Sequence, residues 1–401
     1  MSFTLIVLAQ LLLTALAIPA LLTCSYLLTL TLLSAALPRP ARSRRQLRFA
    51  VIVPAHNEAA VITRCLASLQ RMDWPKDQLR LWVIADNCDD ATAELAQAAG
   101  ALVLKRRNKR LRSKGYALAY AFDHSVHAGW TDAFVVIDAD SEVSPNLIEA
   151  FATRIEGGAT ALQAHFGVLN AKESWRTGLM AIAHGAFHSV RSRARERLLL
   201  SCGLRGNGWC LTRQALAEVP YRAFSVTEDI EYGIELGLAG HRVHYVGEAE
   251  VNAVMESSES IARQQRQRWE NGRFDLLRTQ TLPLLRMAIQ RRSKVCLDLA
   301  LDLLVLPLSY VAFQVLTLLV AAALLSQWQA AFQIWLWPGL ICSLVLLVYV
   351  LRGWQLSGRG LGGLLDLLCA PFFILWKLGT RLQQVSTNGV RTWVPTLRRR
   401  P

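Results

Sequence analysis

Two aspartates separated by one residue, Asp138 and Asp140, form the most chemically suggestive pair in this sequence. They follow an apolar run at 133–137 that has the composition of a buried strand. Carboxylates placed this way can meet one hard cation, and Mg²⁺ or Mn²⁺ prefers such oxygen ligands, completed by substrate phosphates. A solvated turn at the strand end, which aspartate often forms, is the competing interpretation. The pair alone does not decide between them.

A second acidic cluster follows the apolar run at 81–85. Asp86 comes first, and a carboxylate in that position can accept hydrogen bonds from a base N–H or a ribose hydroxyl. Asp90 stands just before a helical stretch, so it is predicted to cap that helix. We therefore take Asp86 as the better ligand candidate of the two.

A third acidic group, Thr227-Glu228-Asp229, precedes a helical stretch at 230–238. A carboxylate near the edge of a sheet can act as a general base toward a hydroxyl group. A threonine followed by two acids is also typical of a helix start. The two interpretations are compatible.

Basic and aromatic residues supply partners for these acids. Residues 105–114 (KRRNKRLRSK) form a basic loop ending in Lys114, which either faces a diphosphate or is a solvated loop near the membrane. Gln265, Arg268 and Trp269 share one helical face. Arg268 can pair with a diphosphate and Trp269 can stack on a sugar, although the same trio also suits a helix on the headgroup layer.

The elements that must position these side chains alternate along the first half of the chain. Strands are predicted at 49–54, 81–85, 101–104 and 133–137, with helices at 58–69, 91–99 and 113–128. This alternation predicts an α/β fold with a doubly wound, mostly parallel sheet. Ligands of such sheets bind beyond the carboxyl ends of the strands, where the polar clusters fall.

Apolar segments flank this domain. Residues 1–38 carry no charged side chain and predict one uncleaved transmembrane helix, or two short helices broken near Pro19. Five arginines follow at positions 39, 42, 44, 45 and 48, which predicts that the next domain lies in the cytoplasm. Apolar runs at 295–325 and 332–351 predict two more spans. A last run at 361–379 contains Asp366 and Pro371 and is either a third C-terminal span or a re-entrant segment.

The predicted organisation therefore has five parts. They are a transmembrane segment at 1–38, an α/β domain at 47–280, an interfacial amphipathic segment at 281–294, a C-terminal transmembrane region at 295–380 and a basic tail at 381–401.

Charge and cysteine content narrow the class of protein. The chain of 401 residues has 44 basic and 30 acidic side chains, a net charge of +14, and the basic residues cluster beside apolar segments. This placement favours an anionic membrane leaflet over nucleic acid, for which no basic stripe with interleaved aromatics is present. None of the eight cysteines forms a C-x-x-C pair, so reduced, packing cysteines are expected.

Taken together, the motifs resemble those of the membrane-integrated family 2 glycosyltransferases, which include cellulose, chitin, hyaluronan and poly-N-acetylglucosamine synthases and ceramide glucosyltransferase. The matching pieces span residues 51–269. In order they are Val51–Glu58 (VIVPAHNE), Asp86-Asn87, Lys114-Gly115, Asp138-Ala139-Asp140, Gly206-Asn207-Gly208, Thr227-Glu228-Asp229 and Gln265-x-x-Arg268-Trp269.

The resemblance implies a GT-A fold, a nucleoside-diphosphate sugar donor, usually a UDP-sugar, a divalent metal and inversion to a β-linkage. By position it assigns a role to each matching residue. Pro54, Glu58, Asp86, Lys114, Asp138 and Arg268 would serve the nucleotide-sugar, Asp140 with Asp138 the metal, Asp229 with Glu228 the base, and Gly206, Asn207, Gln265 and Trp269 the acceptor.

The acceptor is the open point. Polymer synthases usually have more apolar spans, so a growing glycan and a single membrane lipid both remain candidates, with an oligomer or an export partner needed for a long polymer. A non-catalytic membrane scaffold is disfavoured, because each matching position holds a chemically competent residue. Asp298 and Asp302, four residues apart near a span, could line a transport pathway, but an interfacial role fits their position better. We expect an integral protein of a bacterial inner membrane with a cytoplasmic catalytic domain.

Overall fold

The N-terminal segment is a single helix. The computed structural model describes residues 3–127, 129–255 and 259–373, and its first helix, α1, runs from Phe3 to Leu32 with Pro19 inside it. The alternative of two short helices broken near Pro19 is therefore wrong. With 30 residues and no charge, α1 is long and apolar enough to cross a membrane.

Eight strands and thirteen further helices follow in the described residues. The strands are β1 Phe49–Ala55, β2 Leu79–Asp86, β3 Leu102–Arg106, β4 Ala133–Val136, β5 Ser141–Val143, β6 Ala161–Val168, β7 Trp209–Thr212 and β8 Val243–Ala253. The helices are α2 Ile62–Gln70, α3 Thr92–Ala98, α4 Lys114–His127, α5 Leu147–Glu156, α6 Trp175–His184, α7 Arg191–Arg197, α8 Arg213–Glu218, α9 Glu228–Ala239, α10 Glu259–Gln290, α11 Lys294–Leu304, α12 Leu308–Ser326, α13 Leu336–Leu356 and α14 Gly362–Leu368.

The strands form one mixed sheet in the order β3-β2-β1-β4-β7-β6-β8-β5. The first four strands are parallel to one another, and β6 is parallel to β8, whereas β7 and β5 pair antiparallel with their neighbours. The predicted α/β fold with a doubly wound, mostly parallel sheet is confirmed. The less regular half of the domain supplies the antiparallel strands.

Both faces of the sheet are covered, which explains the continuous apolar character of the central strand. In β1, Phe49, Val51 and Val53 pack under α2 and α5, while Ala50 and Ile52 pack under α4 and α9 on the other face. A strand buried on both sides needs apolar residues at every position. Polar residues therefore begin only after β1 ends, in the loop at its carboxyl end.

Two predicted boundaries are wrong by a few residues near the site. The helix expected at 58–69 begins at Ile62, because the Glu58 N–H bonds Thr92 Oγ1 at 2.8 Å and Asn57 has a left-handed φ of 56°. The strand expected to reach residue 137 ends at Val136. Val136 is the last residue that pairs with β7, and its carbonyl accepts from the Gly208 N–H at 3.0 Å just before β7 begins. Both shifts leave more loop at the carboxyl edge.

The apolar run at 295–325 is two helices and not the one span predicted. The chain turns at 305–307, where Pro307 caps α12, since proline disfavours helix for the residue before it. Within the described ranges, three segments are long and apolar enough to span a membrane: Phe3–Leu32, Leu308–Ser326 and Ala330–Leu356.

Two further predicted segments take a different form. The interfacial amphipathic segment expected at 281–294 is largely the last part of one long helix, α10, whose Leu284 is fully buried against α9 and α11. Of the last apolar run, α14 is described to Leu368; its Asp366 pairs with Arg359 at 2.8 Å and lies against Gly178 of α6. Residues 374–401, with the basic tail, lie outside the described residues.

Candidate active site

The polar loops of β1, β2 and β4 meet at one edge of the sheet. The three strands are parallel neighbours, so their carboxyl ends lie side by side, with Ala55 opposite Ala85 and Ile52 opposite Val136. His56 Nδ1 lies 2.7 Å from the backbone oxygen of Asp86, which ties the loop after β1 to the end of β2. The carboxyl edge is therefore the candidate site, as the strand pattern predicts.

Lys114, the first residue of α4, is the cation at the centre of this edge. Its Nζ lies 2.5 Å from Asp138 Oδ1, 3.6 Å from Glu228 Oε1 and donates to the Gly206 carbonyl at 2.5 Å. Gly115 permits this placement, because a Cβ there would stand 2.2 Å from the Ala223 carbonyl. Four segments far apart in sequence thus converge on one ammonium group.

Burial makes the protonation of these groups interdependent. It raises the pKa of Glu228 to about 8, against a partial opposing effect of Lys114, and neighbouring Asp229 adds to the rise. Burial also raises the pKa of Asp138 and of Asp229. For Lys114 burial acts to lower the pKa, but Asp138 and Glu228 outweigh it and the pKa is raised. The lysine therefore stays charged among carboxyl groups that are reluctant to ionise.

Asp138 and Asp140 fit a divalent cation that is completed by a ligand. Both are half-buried, they flank the buried Ala139, and the charge of Asp140 contributes to the raised pKa of Asp138. A cation relieves such repulsion. Within 3–127, 129–255 and 259–373, no three His, Cys, Asp or Glu side chains assemble a protein-only metal site. A cation held here would take its remaining ligands from phosphate oxygens, as is usual for Mg²⁺.

The loop before β7 holds the aspartates in place. Asn207 is buried, its Oδ1 accepts from the Asp138 N–H at 3.0 Å, and its Nδ2 donates to Ser141 Oγ at 2.6 Å. Gly206 has a φ of 80°, and a Cβ on it would lie 3.7 Å from Asp229 Oδ2. Asn207 thus supports the Asp138 loop, while Gly206 leaves space beside the candidate base.

A cavity of about 300 Å³ opens beside the ends of β1 and β2. It is lined by His56, Asn57, Asp86, Asn87, Asp89, Arg107, Lys109 and Arg112. Asp86 is buried and bonds Arg106 Nη1 at 2.6 Å, directly across the β2–β3 pair. Glu58 follows the lining residue Asn57 and Pro54 lies two residues before His56, but neither Pro54 nor Glu58 lines the cavity.

Asp90 lies one residue before the N-cap position of α3, which is Ala91 and not Asp90 as predicted. The Asp90 carboxylate accepts from the Thr92 N–H at 3.0 Å and from the Ala59 N–H at 3.1 Å, so it still satisfies a donor of the first turn of α3 and anchors the loop after β1. Thr227 stands at the N-cap position of α9 but makes no capping bond, and its Oγ1 is buried without a partner among the described residues.

Helix α10 brings Gln265, Arg268 and Trp269 to the same side of the domain. Its Gly272, close after Trp269, lies against Thr227: a Cβ at 272 would stand 2.6 Å from Thr227 Cγ2. Trp269 is 38% exposed, which leaves much of its ring free for contact with another molecule. Burial lowers the pKa of Arg268.

Sequence reasoning missed two residues of this site. Arg106 was counted only as part of a basic loop, although its place opposite Asp86 follows once the parallel register is known. Gly272 carried no motif signal, but a glycine inside a long polar helix indicates a close approach of another element.

Comparison with known proteins agrees with this geometry. The profile described as "Glycosyltransferase like family 2" matches residues 46–272. Among solved structures, a mannosyltransferase from Pyrobaculum calidifontis in complex with GDP-Man and Mn²⁺ superposes with a TM-score of 0.51 at 16% identity, covering 86% of this chain and 97% of that one. That likeness supports the GT-A type of fold.

Two relatives have established descriptions. A probable glucomannan 4-beta-mannosyltransferase of Arabidopsis thaliana is 24% identical over 246 residues, 59% of this chain and 46% of the relative. The beta-monoglucosyldiacylglycerol synthase of Trichormus variabilis is 27% identical over 233 residues, 56% of this chain and 48% of the relative. This chain thus spans about half the length of each. Because the family profile covers more than half of the 401 residues, the chain belongs to the family 2 glycosyltransferases.

Proposed function

We propose that this protein is an inverting glycosyltransferase that moves a sugar from a nucleoside diphosphate, UDP in the first instance, to a growing glycan through a β-linkage. The observation that carries the proposal is the convergence on Lys114 of Asp138, Glu228 and the Gly206 carbonyl, with Asp229 beside Gly206. The cavity at Asp86 supports a nucleoside on one side of this centre. Trp269 supports an acceptor on the other.

The residues present divide the chemistry between them. Asp229 takes the proton of the acceptor hydroxyl as its oxygen attacks the anomeric carbon, and the bond from that carbon to the diphosphate breaks on the opposite face. Arg268 and Lys114 balance charge on the departing diphosphate. A divalent cation held by Asp140 and Asp138 would supply Lewis-acid stabilisation of the same charge.

A second candidate is transfer of one sugar to a membrane lipid. Three candidate spans in the described residues are few for a polymer channel, and one relative is a synthase of a glucosylated diacylglycerol. Both candidates use the same donor site and the same base, so only the acceptor distinguishes them.

The proposal includes a membrane orientation with the catalytic domain in the cytoplasm. Arginines follow α1, which favours a cytoplasmic position for the domain after it. Asp366 of α14 contacts Arg359 and lies against Gly178 of α6 in the catalytic domain, so the segment after α13 lies on the same side of the membrane as the domain. Three spans are consistent with this arrangement. A membrane-impermeant thiol reagent should label Trp328→Cys, between α12 and α13, in intact cells, and Arg71→Cys only after permeabilisation. Labelling of Arg71→Cys in intact cells would contradict this orientation.

The test is a donor screen with the purified full-length protein. UDP-glucose, UDP-N-acetylglucosamine, UDP-galactose and the corresponding GDP-sugars are each supplied with Mg²⁺, Mn²⁺ or a chelator, and nucleoside diphosphate release is measured. One donor should be consumed, and the chelator should abolish its consumption. Labelled product that precipitates in ethanol indicates a glycan, and product that enters organic solvent indicates a lipid. No release from any donor would contradict the proposal.

A further inference from the structure

A cluster of guanidinium groups lies behind the acceptor side of the site. Its members come from α7, from the loop before β7 and from α10. They are Arg191, Arg195, Arg205 and Arg273, hereafter the arginine cluster. Arg191, Arg195 and Arg205 are at most 5% exposed, which is rare for arginine unless it is paired.

Two aspartates of α11 pair with this cluster. Asp302 lies 3.1 Å from Arg191, 2.7 Å from Arg195 and 3.3 Å from Arg205, and Asp298 lies 3.0 Å from Arg195. Arg273 reaches the backbone carbonyls of Asp302 and Val305. The two aspartates thus form ion pairs inside the protein. These ion pairs explain why acidic residues lie near a candidate span, so no transport pathway is needed to explain them.

The charges in this cluster do not balance. Four guanidinium groups face the two carboxylates of α11, and Arg205 also interacts with the charge of Asp229, so positive charge remains in excess. Arg195 Nη1 is buried and has no hydrogen-bond partner among the described residues. Burial outweighs Asp302 and lowers the pKa of Arg205, and it lowers that of Arg273 to about 10. An uncompensated buried charge is costly, so an anion is expected here.

The cluster is most exposed on one side, hereafter its opening, where Phe187 and Arg273 are half-buried, in contrast to the other three arginines. The Phe187 ring lies 4.2 Å from the Arg205 guanidinium, 4.9 Å from that of Arg191 and 5.9 Å from that of Arg273, so it lies at this opening. Arg273 follows Trp269 by one turn of α10.

The opening also adjoins the candidate base. Arg205 directly precedes Gly206, whose missing side chain leaves the space beside Asp229, and the charge of Arg205 acts on the Asp229 carboxyl. An anion at Arg205 and Arg273 would therefore belong to the molecule whose hydroxyl meets Asp229.

We propose that the arginine cluster binds the phosphate ester of an acceptor lipid whose headgroup also carries the accepting hydroxyl. The inference rests on the proposed function in its second form, transfer to a membrane lipid, and names the class of that lipid. Guanidinium forks match the oxygens of a phosphate group in pairs. A lipid is the source because the cluster is tied to two membrane helices, through Tyr26 of α1, which accepts from Arg195 at 2.6 Å, and Tyr349 of α13, which accepts from Arg191 at 2.9 Å.

The experiment compares acceptors that share a glycerol hydroxyl. Full-length enzyme in phosphatidylcholine vesicles receives the donor identified in the screen and, in separate arms, phosphatidylglycerol, diacylglycerol or soluble glycerol phosphate. We expect transfer to phosphatidylglycerol, at least tenfold above transfer to diacylglycerol. In Arg273→Gln the KM for phosphatidylglycerol should rise about tenfold or more, as for loss of a charged hydrogen bond, and Arg273→Lys should recover part of it.

Arg154→Gln is the matched control, since like Arg273→Gln it removes a half-buried arginine, here one of α5 that pairs with Glu248 of β8. Equal loss in this variant would show a general effect on folding and overturn the proposal. If diacylglycerol is used as well as phosphatidylglycerol, the enzyme does not recognise the phosphate and the proposal is wrong. If soluble glycerol phosphate is used equally well, the acceptor is not a lipid and the proposal is also wrong. Release of nucleoside diphosphate without a preference for phosphatidylglycerol would contradict only this inference. Failure to consume any donor would contradict the proposed function itself.

Discussion

At the scale of residues, the site is a half-buried lysine among carboxyl groups whose ionisation is linked. Lys114 holds Asp138 at 2.5 Å and Glu228 at 3.6 Å, and Asp229 lies next to Glu228 in the first turn of α9. Because burial disfavours each negative charge, the carboxyl groups lose their protons at higher pH than exposed ones do. The proton affinity of the candidate base is therefore set by its neighbours.

This linkage predicts the acidic limb of the pH profile. A base whose pKa is raised stays protonated and inactive at low pH, so kcat/KM should rise with pH. The limb should therefore lie above the ordinary aspartate pKa of 3.8, because burial raises the pKa of Asp229. Asp229 and Glu228 titrate as a coupled pair, so Glu228→Gln leaves Asp229 to ionise without a second titrating carboxyl group and should move the limb to lower pH by about one unit.

The control for this profile is Glu231→Gln. Glu231 is in the same first turn of α9 but accepts from the Ser225 N–H at 3.1 Å, so its loss should leave the limb in place. A wild-type limb at the ordinary carboxyl value, or a limb that Glu228→Gln does not move, would show that Asp229 and Glu228 are not coupled as described.

At the scale of elements, the close approach of α10 to α9 joins the acceptor side to the base. Gly272→Leu should drive the helix away from Thr227, since even a Cβ would stand 2.6 Å from Thr227 Cγ2. We expect sugar transfer to fall by roughly tenfold or more, because small displacements of positioned groups cost rate steeply. Asn271→Ala, on an exposed position of the same helix, should retain wild-type transfer. Normal transfer by Gly272→Leu at unchanged thermal stability would contradict this role.

Sequence reasoning succeeded for elements whose pattern is local. The strands β1, β2 and β4 and the helix α1 follow from continuous apolar runs, and the polar clusters after the strands follow from the geometry of parallel sheets. It failed at 295–325, because hydropathy alone does not reveal that Pro307 divides the run or that Asp298 and Asp302 have arginine partners far away in sequence.

At the scale of the whole molecule, the arginine cluster and its aspartates join the catalytic domain to the membrane helices. Asp302→Asn leaves several buried guanidinium groups without their partner, which typically costs about 3–5 kcal/mol. The unfolding temperature of the detergent-solubilised protein should therefore drop sharply. Glu94→Gln, which breaks an exposed pair with Lys105, should change it little. Similar unfolding temperatures for the two variants would contradict a joining role for Asp302.

This level of organisation was the least accessible from the sequence. Arg191, Arg195 and Arg205 carried no motif signal. Their convergence on Asp302 requires the contact between α7, the loop before β7 and α11, and no local periodicity encodes such a contact.

The candidate site could be predicted in part. Asp86 ends one parallel strand and Asp138 follows another, so their place at the carboxyl edge was predictable. The approach of Lys114 and Glu228, which begin helices, depends on contacts between distant segments and was not.

The most direct test of the account is the rate of sugar transfer by Asp229→Asn, measured with the identified donor and acceptor at saturation. The variant keeps the size of the side chain beside Gly206 but loses the base. Transfer should fall by about 10²–10⁴-fold, the usual contribution of a general base, while the donor binds with nearly unchanged affinity. Transfer by Asp229→Asn at the wild-type rate would show that another residue is the base and that the central assignment is wrong.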